Sequence, residues 1–344
     1  MAKKIAINGF GRIGRQFLKV VLSEKADSLE LVAINDLGDV DNLAYLLRYD
    51  SAQKKWEADI SVERNNEQTF LVVNGKKIRF LSEREPAALP WKTLEVDIVI
   101  ESTGFFTKYE DAKAHIEAGA KRVVISAPGK GEEGDAGKTI LMGINDSELN
   151  TCSVSSNGSC TTNSTSPVAQ IMAETVGVEK AFLNTIHGYT ATQKIVDGVD
   201  KKDFRKGRAA AQNIIPTSTG AAISVTKAVK ELEGKFDGVA MRVPVISGSI
   251  ADFTFLASRD TSVEELREIF KNAAKEERWR GIFTVTDEQL VSTDIIGTPY
   301  ASIVDLSFIK VADGNLVKVL AWYDNEMGYT YSLVKHVSKV AELL

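Results

Sequence analysis

A short apolar run, Ile5-Ala6-Ile7, is followed at once by Gly9-Phe10-Gly11-Arg12-Ile13-Gly14. Ile13, Phe17, Val20 and Val21 then recur at helical spacing. This order of strand, glycine turn and helix leaves few folds open. Gly9 allows the tight turn, Gly11 lets the backbone approach a pyrophosphate, and Gly14 lets helix and strand pack closely. The helix N-terminus then presents unpaired N–H groups to the phosphates. A second buried strand, Leu31-Val32-Ala33-Ile34, ends at Asp36, about 20 residues beyond the last glycine. A carboxylate there accepts hydrogen bonds from the adenosine ribose and repels a 2′-phosphate, so NAD is expected rather than NADP. A glycine turn beside a surface aspartate is the plain alternative, and the order of elements weighs against it.

The same alternation continues. Leu43, Leu46 and Leu47 mark a helix, and Ile98-Val99-Ile100 and Val123-Val124-Ile125 mark buried strands with a helix over about Tyr109–Ala118 between them. Thr69–Val73 and Lys77–Phe80, joined by Asn74-Gly75, predict a hairpin with a type I′ turn. Near-continuous aliphatic strands of this kind belong to a parallel sheet covered on both faces. Beyond residue 159 the texture changes to long β-branched runs over 180–190, 238–257 and 303–323, with helices near 220–232 and 262–275. The expected fold is therefore an α/β Rossmann-type domain, residues 1–158, plus an α+β domain with a mostly antiparallel sheet, residues 159–324. A last helix, about 325–344, shows an apolar face of Leu333, Val337, Val340 and Leu344, and is expected to pack on the first domain. Gly188–Pro216 reads as a long ordered loop, and such loops commonly serve function or an interface.

Composition narrows the function. At 344 residues two domains are the natural expectation. The net charge of −5 leaves no excess of cation for a dedicated nucleic-acid binder. Two cysteines make no disulfide framework, the apolar run after Lys3-Lys4 breaks too early for a signal peptide, and no stretch is long and apolar enough for a membrane helix. The cytoplasm is the expected compartment.

The chemistry centres on Ser156-Asn157-Gly158-Ser159-Cys160-Thr161-Thr162-Asn163, just ahead of a helix-like run, Pro167–Val176. A thiol near a helix N-terminus is stabilised as thiolate. His187 lies 27 residues on, at the end of the strand-like Ala181–Ile186. Taken alone, a buried cysteine and a capping histidine would be the better explanation of the pair. The Ser/Thr/Asn surround of Cys160 favours chemistry, because structural cysteines keep apolar neighbours. His115 and His336 lie on predicted helices and read as surface or packing residues.

The octapeptide around Cys160 closely resembles the active-site segment of the phosphorylating glyceraldehyde-3-phosphate dehydrogenase family. So do Ile7–Arg15, Tyr49-Asp50-Ser51, Glu101-Ser102-Thr103-Gly104, Ile214–Ala222, Met241-Arg242-Val243-Pro244 and Trp322–Tyr329. The resemblance implies oxidation of glyceraldehyde 3-phosphate with NAD and inorganic phosphate, in glycolysis. Cys160 would be the nucleophile, forming a thiohemiacetal and then a thioester, and His187 the base. It places substrate and phosphate near Ser159, Thr161, Thr190, Thr219, Gly220 and Arg242, with Arg205 or its neighbour Lys206 as a further cation. It places NAD at Gly9, Gly11, Arg12, Ile13, Gly14, Asp36, Arg84, Thr103, Ser126 and Asn325. A homotetramer, with no metal, is also implied. The chain departs from the family pattern in Gly158, in Ser164 where a second cysteine is usual, in Val199, in an insertion near 132–137, and in Val245-Ile246-Ser247-Gly248 beside the phosphate site. Rival readings are an erythrose-4-phosphate dehydrogenase and a non-catalytic NAD- or RNA-binding adaptor.

Overall fold

The structure, a computed structural model, describes residues 2–344 apart from positions 25, 27 and 66. The chain forms two compact units. The first comprises Met1–Ile140, Asp146–Gly158 and Leu333–Leu344, and the second Leu141–Asn145 and Ser159–Ser332.

In the first unit the elements are β1 (Lys3–Asn8), α1 (Arg12–Ser23), β2 (Leu29–Asn35), α2 (Val40–Arg48), β3 (Ile60–Asn65), β4 (Gln68–Val73), β5 (Lys76–Leu81), β6 (Ile98–Glu101), α3 (Tyr109–Ala112), α4 (Ala114–Glu117), β7 (Arg122–Ile125), β8 (Lys138–Thr139) and β9 (Val154–Ser156). They build one nine-stranded sheet in the order β3-β4-β5-β2-β1-β6-β7-β9-β8. Strand β1 runs parallel to both β2 and β6. Its central place explains its composition, since Ile5, Ala6 and Ile7 are shielded on both faces and fully buried. Each such isoleucine contributes roughly 1.5–3 kcal/mol. The predicted hairpin is β4–β5, and Asn74 and Gly75 both take positive φ, +48° and +78°, as a type I′ turn requires. The single helix expected over 109–118 is instead two short ones. Bonds from Lys113 N–H to the Glu110 carbonyl and from Ile116 N–H to the Lys113 carbonyl tighten the chain to three-residue steps between them.

In the second unit, α5 (Cys160–Thr175), β10 (Val178–Gly188), β11 (Ile215–Ser218), α6 (Ala221–Ala228), β12 (Phe236–Val243), β13 (Ser249–Ala257), α7 (Val263–Ala273), β14 (Phe283–Thr286), α8 (Ser292–Ile295), β15 (Ser302–Ala312) and β16 (Leu316–Tyr323) are followed by α9 (Met327–Glu342). Its seven-stranded sheet runs β11-β12-β10-β13-β16-β15-β14. Only β10–β12 and β14–β15 pair in parallel, and the other neighbours are antiparallel.

Helix α5 begins seven residues earlier than the periodicity suggests. Thr161 to Ala169 are all buried, so the helix has no polar face to set a repeat. The hydroxyl of Ser159 caps it by accepting from the Thr162 N–H at 3.0 Å, worth about 1 kcal/mol. Pro167 sits inside the helix and has no N–H for the Asn163 carbonyl. In α9, Leu333, Val337 and Val340 are buried. So is His336, which bonds Ser155 Oγ at 2.8 Å and Asn157 Oδ1 at 3.0 Å within the first unit.

Candidate active site

Two constellations carry chemistry, one in each unit. In the first, a cavity of about 520 Å³ opens beside the glycine turn, lined by Gly9, Gly11, Asp36, Arg84, Thr103 and Phe106 among others. Each glycine has a separate physical reason. Gly9 takes φ +97°, and a Cβ there would lie 2.5 Å from the Thr103 nitrogen. A Cβ on Gly14 would lie 2.2 Å from the Gly9 carbonyl oxygen, so helix and strand could not close. A Cβ on Gly11 would meet no protein atom within 4 Å. That position therefore faces open space, as a backbone that must admit a pyrophosphate should. Asp36 accepts from the Phe10 N–H at 2.6 Å and the Gly38 N–H at 2.7 Å. These bonds fix the carboxylate and leave acceptor capacity for ribose hydroxyls. The residues fit a dinucleotide.

The remaining cofactor candidates spread around this frame. Arg12 opens α1 and pairs with Asp50 at 3.0 Å. Ile13 is half-buried beside it, and Arg84 is exposed. The hydroxyl and N–H of Thr103 both donate to Glu101. Ser126 follows β7 and donates its N–H to the Glu101 carbonyl at 2.9 Å. Asn325 belongs to the second unit, where its Oδ1 accepts from Ser249 Oγ at 2.8 Å.

In the second unit, Cys160 is the first residue of α5 and its Sγ lies 3.3 Å from His187 Nε2. Parallel pairing sets His187 of β10 opposite Arg242 of β12. The imidazole Nδ1 consequently lies 2.6 Å from the Gly188 carbonyl and 2.5 Å from Arg242 Nη1. These two partners demand opposite tautomers. Donation to the carbonyl needs a proton on Nδ1 and leaves Nε2 bare toward the thiol, whereas acceptance from the guanidinium moves the proton to Nε2. Burial, then the nearby Arg242 charge, lowers the His187 pKa from 6.5 to about 3. The protein packed around Cys160 raises the thiol pKa, against the opposing pull of Arg242 and of the Thr161 hydroxyl and N–H. Desolvation favours the uncharged form of each group, thiol and neutral imidazole. At the sulfur it opposes the helix N-terminus, which favours the thiolate.

Tyr323, within the Trp322–Tyr329 motif but with no role evident from its sequence position, completes the cluster. Its hydroxyl bonds Thr161 Oγ1 at 3.0 Å and Thr185 Oγ1 at 2.7 Å, and its ring meets His187 edge-on. Nothing in the spacing of residues 161, 185 and 323 signals that meeting. Other phosphate candidates bond within their own loops. Thr190 Oγ1 pairs with Thr192 Oγ1 at 3.1 Å, Thr219 Oγ1 accepts from the Ala221 N–H at 3.2 Å, and Gly220 caps α6. Arg205 is exposed and ion-paired with Asp203 at 2.9 Å. Cys160, Thr161, His187 and Arg242 are thus brought together, with Ser159 as the cap. Among the described residues no His/Cys/Asp/Glu cluster could hold a metal, and no helix is long and apolar enough to cross a membrane.

Residues 3–109 match the domain described as "Glyceraldehyde 3-phosphate dehydrogenase, NAD binding domain", and residues 159–325 match its C-terminal domain. The chain is 46% identical to a glyceraldehyde-3-phosphate dehydrogenase of Streptomyces coelicolor over 97% of both chains. It is 45% identical to that of Clostridium pasteurianum over 99% of both, and 44% identical to that of Zymomonas mobilis over the whole of both. With a glycine turn built for NAD and a cysteine–histidine pair at a helix N-terminus, the chain belongs to the glyceraldehyde-3-phosphate dehydrogenase family.

Proposed function

We propose that this NAD-dependent enzyme oxidises glyceraldehyde 3-phosphate to 1,3-bisphosphoglycerate through a covalent Cys160 intermediate. The observation that carries this reading is the 3.3 Å contact between Cys160 Sγ and His187 Nε2, with Arg242 beside it. As the aldehyde approaches, the thiol proton passes to His187 Nε2 and the sulfur bonds the carbonyl carbon. The N–H groups of Cys160 and Thr161, at the start of α5, have no carbonyl partner within the helix and suit the oxyanion. The protonated imidazole returns its proton to that oxygen, giving a thiohemiacetal. His187 then takes the hydroxyl proton again as the C–H bond breaks. Bound NAD supplies the hydride acceptor. The carbon left on sulfur is a thioester, and attack by a phosphate oxygen breaks the C–S bond and frees the thiolate.

Arg242 has two roles in this scheme. It supplies a cation for phosphate. An anion that draws its guanidinium off His187 Nδ1 also leaves the Gly188 carbonyl as that atom's partner, which favours a bare Nε2. Ser159, Thr161, Thr190, Thr219 and Gly220 add hydroxyl and backbone donors, with Arg205 at the edge. Gly9, Gly11, Arg12, Ile13, Gly14, Asp36, Arg84, Thr103, Ser126 and Asn325 are assigned to NAD. Residues 1–158 with the last helix form the nucleotide-binding domain, and 159–324 the catalytic domain. A cytoplasmic homotetramer is part of the same reading, and exposed Ile195, Val196, Val199 and Phe204 suit a subunit contact.

Appearance of the reduced cofactor with glyceraldehyde 3-phosphate, NAD and phosphate tests the proposal. Turnover should stop when phosphate is omitted, and erythrose 4-phosphate and NADP should be poor replacements. Phosphate-independent turnover would overturn it. No relative named above is called an erythrose-4-phosphate dehydrogenase or a binding-only protein, and the intact Cys160–His187 pair speaks against an adaptor.

A further inference from the structure

Beneath the cofactor cavity lies a buried polar chain that the reaction does not use. Glu101 ends β6 and is 1% exposed. Its Oε1 accepts from the N–H of Thr103 at 2.8 Å and from the Thr103 hydroxyl. Its Oε2 accepts from Asn8 Nδ2 at 2.6 Å and pairs with His115 Nε2 at 3.0 Å. Four donors thus meet the four acceptor sites of one carboxylate.

The far end of the chain fixes the imidazole. Trp91 Nε1–H, which can only donate, points at His115 Nδ1 at 3.0 Å. Nδ1 is therefore the acceptor, and Nε2 carries the proton it gives to Glu101. At the near end, Asn8 Oδ1 accepts from Asn35 Nδ2 at 2.7 Å, and Asn35 bonds the Glu83 backbone through both of its amide atoms. The ring of Phe106 meets His115 edge-on at 6.4 Å. Asn8, Asn35, Glu83, Thr103 and Phe106 all line the cavity. Glu101, His115 and Trp91 do not. They hold the wall from behind.

We propose that Glu101 and His115 are positioning residues for NAD: their hydrogen bonds set Thr103, Asn8 and Phe106 in the geometry the cofactor requires. This rests on reading the cavity as the NAD site. A carboxylate is needed at 101 because every group facing it is a donor. A carboxamide would turn its own N–H groups on two of those donors and leave them unpaired, and a buried donor left unpaired is expensive.

The test is calorimetric titration of NAD into the intact chain and into Glu101→Gln, His115→Leu and His115→Gln, with apoprotein melting measured alongside. Glutamine at 115 can still donate to Glu101 and accept from Trp91, whereas leucine can do neither. Glu101→Gln and His115→Leu should weaken NAD binding by about tenfold or more, with kcat at saturating NAD changed less than about twofold, and His115→Gln should restore most of the affinity. The Trp91 indole N–H resonance should shift in His115→Leu and stay near its native position in His115→Gln. Unchanged NAD affinity in a folded Glu101→Gln protein, even with a lower melting temperature, would overturn the inference by making the chain a purely structural network. Should His115→Leu not fold, the Glu101→Gln titration decides alone. Failure of the unaltered chain to bind NAD would overturn the reading of the cavity instead.

Discussion

His115 and His187 are both buried, at 0% and 3% exposure, and both sit among polar partners. At His115 each ring nitrogen has a partner of matching kind, a pure donor on Nδ1 and a carboxylate on Nε2. One tautomer satisfies both of these partners. At His187 the carbonyl of Gly188 and the guanidinium of Arg242 compete for Nδ1, and Nε2 faces a thiol that can surrender its proton. A histidine that holds structure is saturated. His187, which on the proposed reading moves protons, is left with a choice, and the nearby charge decides it.

The contrast can be broken most forcefully at the thiol. Cys160→Ser should abolish aldehyde oxidation and leave the NAD dissociation constant within about twofold of native, since Cys160 does not line the cavity. Retained turnover would remove the basis for treating His187 differently from His115. Next, His187→Asn should lower turnover by roughly 10²–10⁴ and slow alkylation of Cys160 near neutral pH. An unaltered alkylation rate would mean that the imidazole does not serve the sulfur.

Arg242→Met sharpens the comparison by removing the competitor at Nδ1. The KM for phosphate should rise by about tenfold or more, because a charge-assisted hydrogen bond is lost. The His187 pKa should rise, since Arg242 is the second cause of its depression after burial. The acid limb of the rate–pH profile should therefore move to higher pH. A stationary limb would show that the guanidinium does not act on the ring.

The third histidine gives the smallest effect. Burial lowers the His336 pKa from 6.5 to about 3. The folded state then binds fewer protons than the unfolded one between those values. Its stability contribution is complete above 6.5 and is lost as pH falls toward 3, amounting to about 2 kcal/mol by pH 5. His336→Gln should flatten the drop in unfolding free energy between pH 7.5 and pH 5 by that order. An equally steep drop in the variant would place the acid sensitivity elsewhere.

Much of this is legible in the chain because it is local. The positive φ of Gly9 and the packing of Gly14 on the Gly9 carbonyl are demands within a few residues, and Asn74-Gly75 specifies its turn alone. Cys160 and His187 stand out by neighbourhood and strand-end position. What could not be read is what strand register and burial decide. Arg242 meets His187 only because β10 and β12 run side by side in parallel. Tyr323 joins Thr161 and Thr185 from far along the chain. The first two turns of α5 are hidden because Thr161–Ser166 are polar by composition yet buried by packing. The Glu101–His115 pair escaped for a related reason: an amphipathic-looking histidine gives no sign that a tryptophan N–H waits behind it. The Val245–Gly248 departure finds a partial account, since Ser247 Oγ donates to buried Asp324 at 2.9 Å.

The first unit draws on residues from both ends of the chain, and Leu333–Leu344 supply His336 to Ser155 and Asn157. During synthesis, Ser155 and Asn157 must therefore wait for His336 while the ribosome makes Ser159–Ser332. The nascent chain cannot complete this unit until α9 has left the exit tunnel.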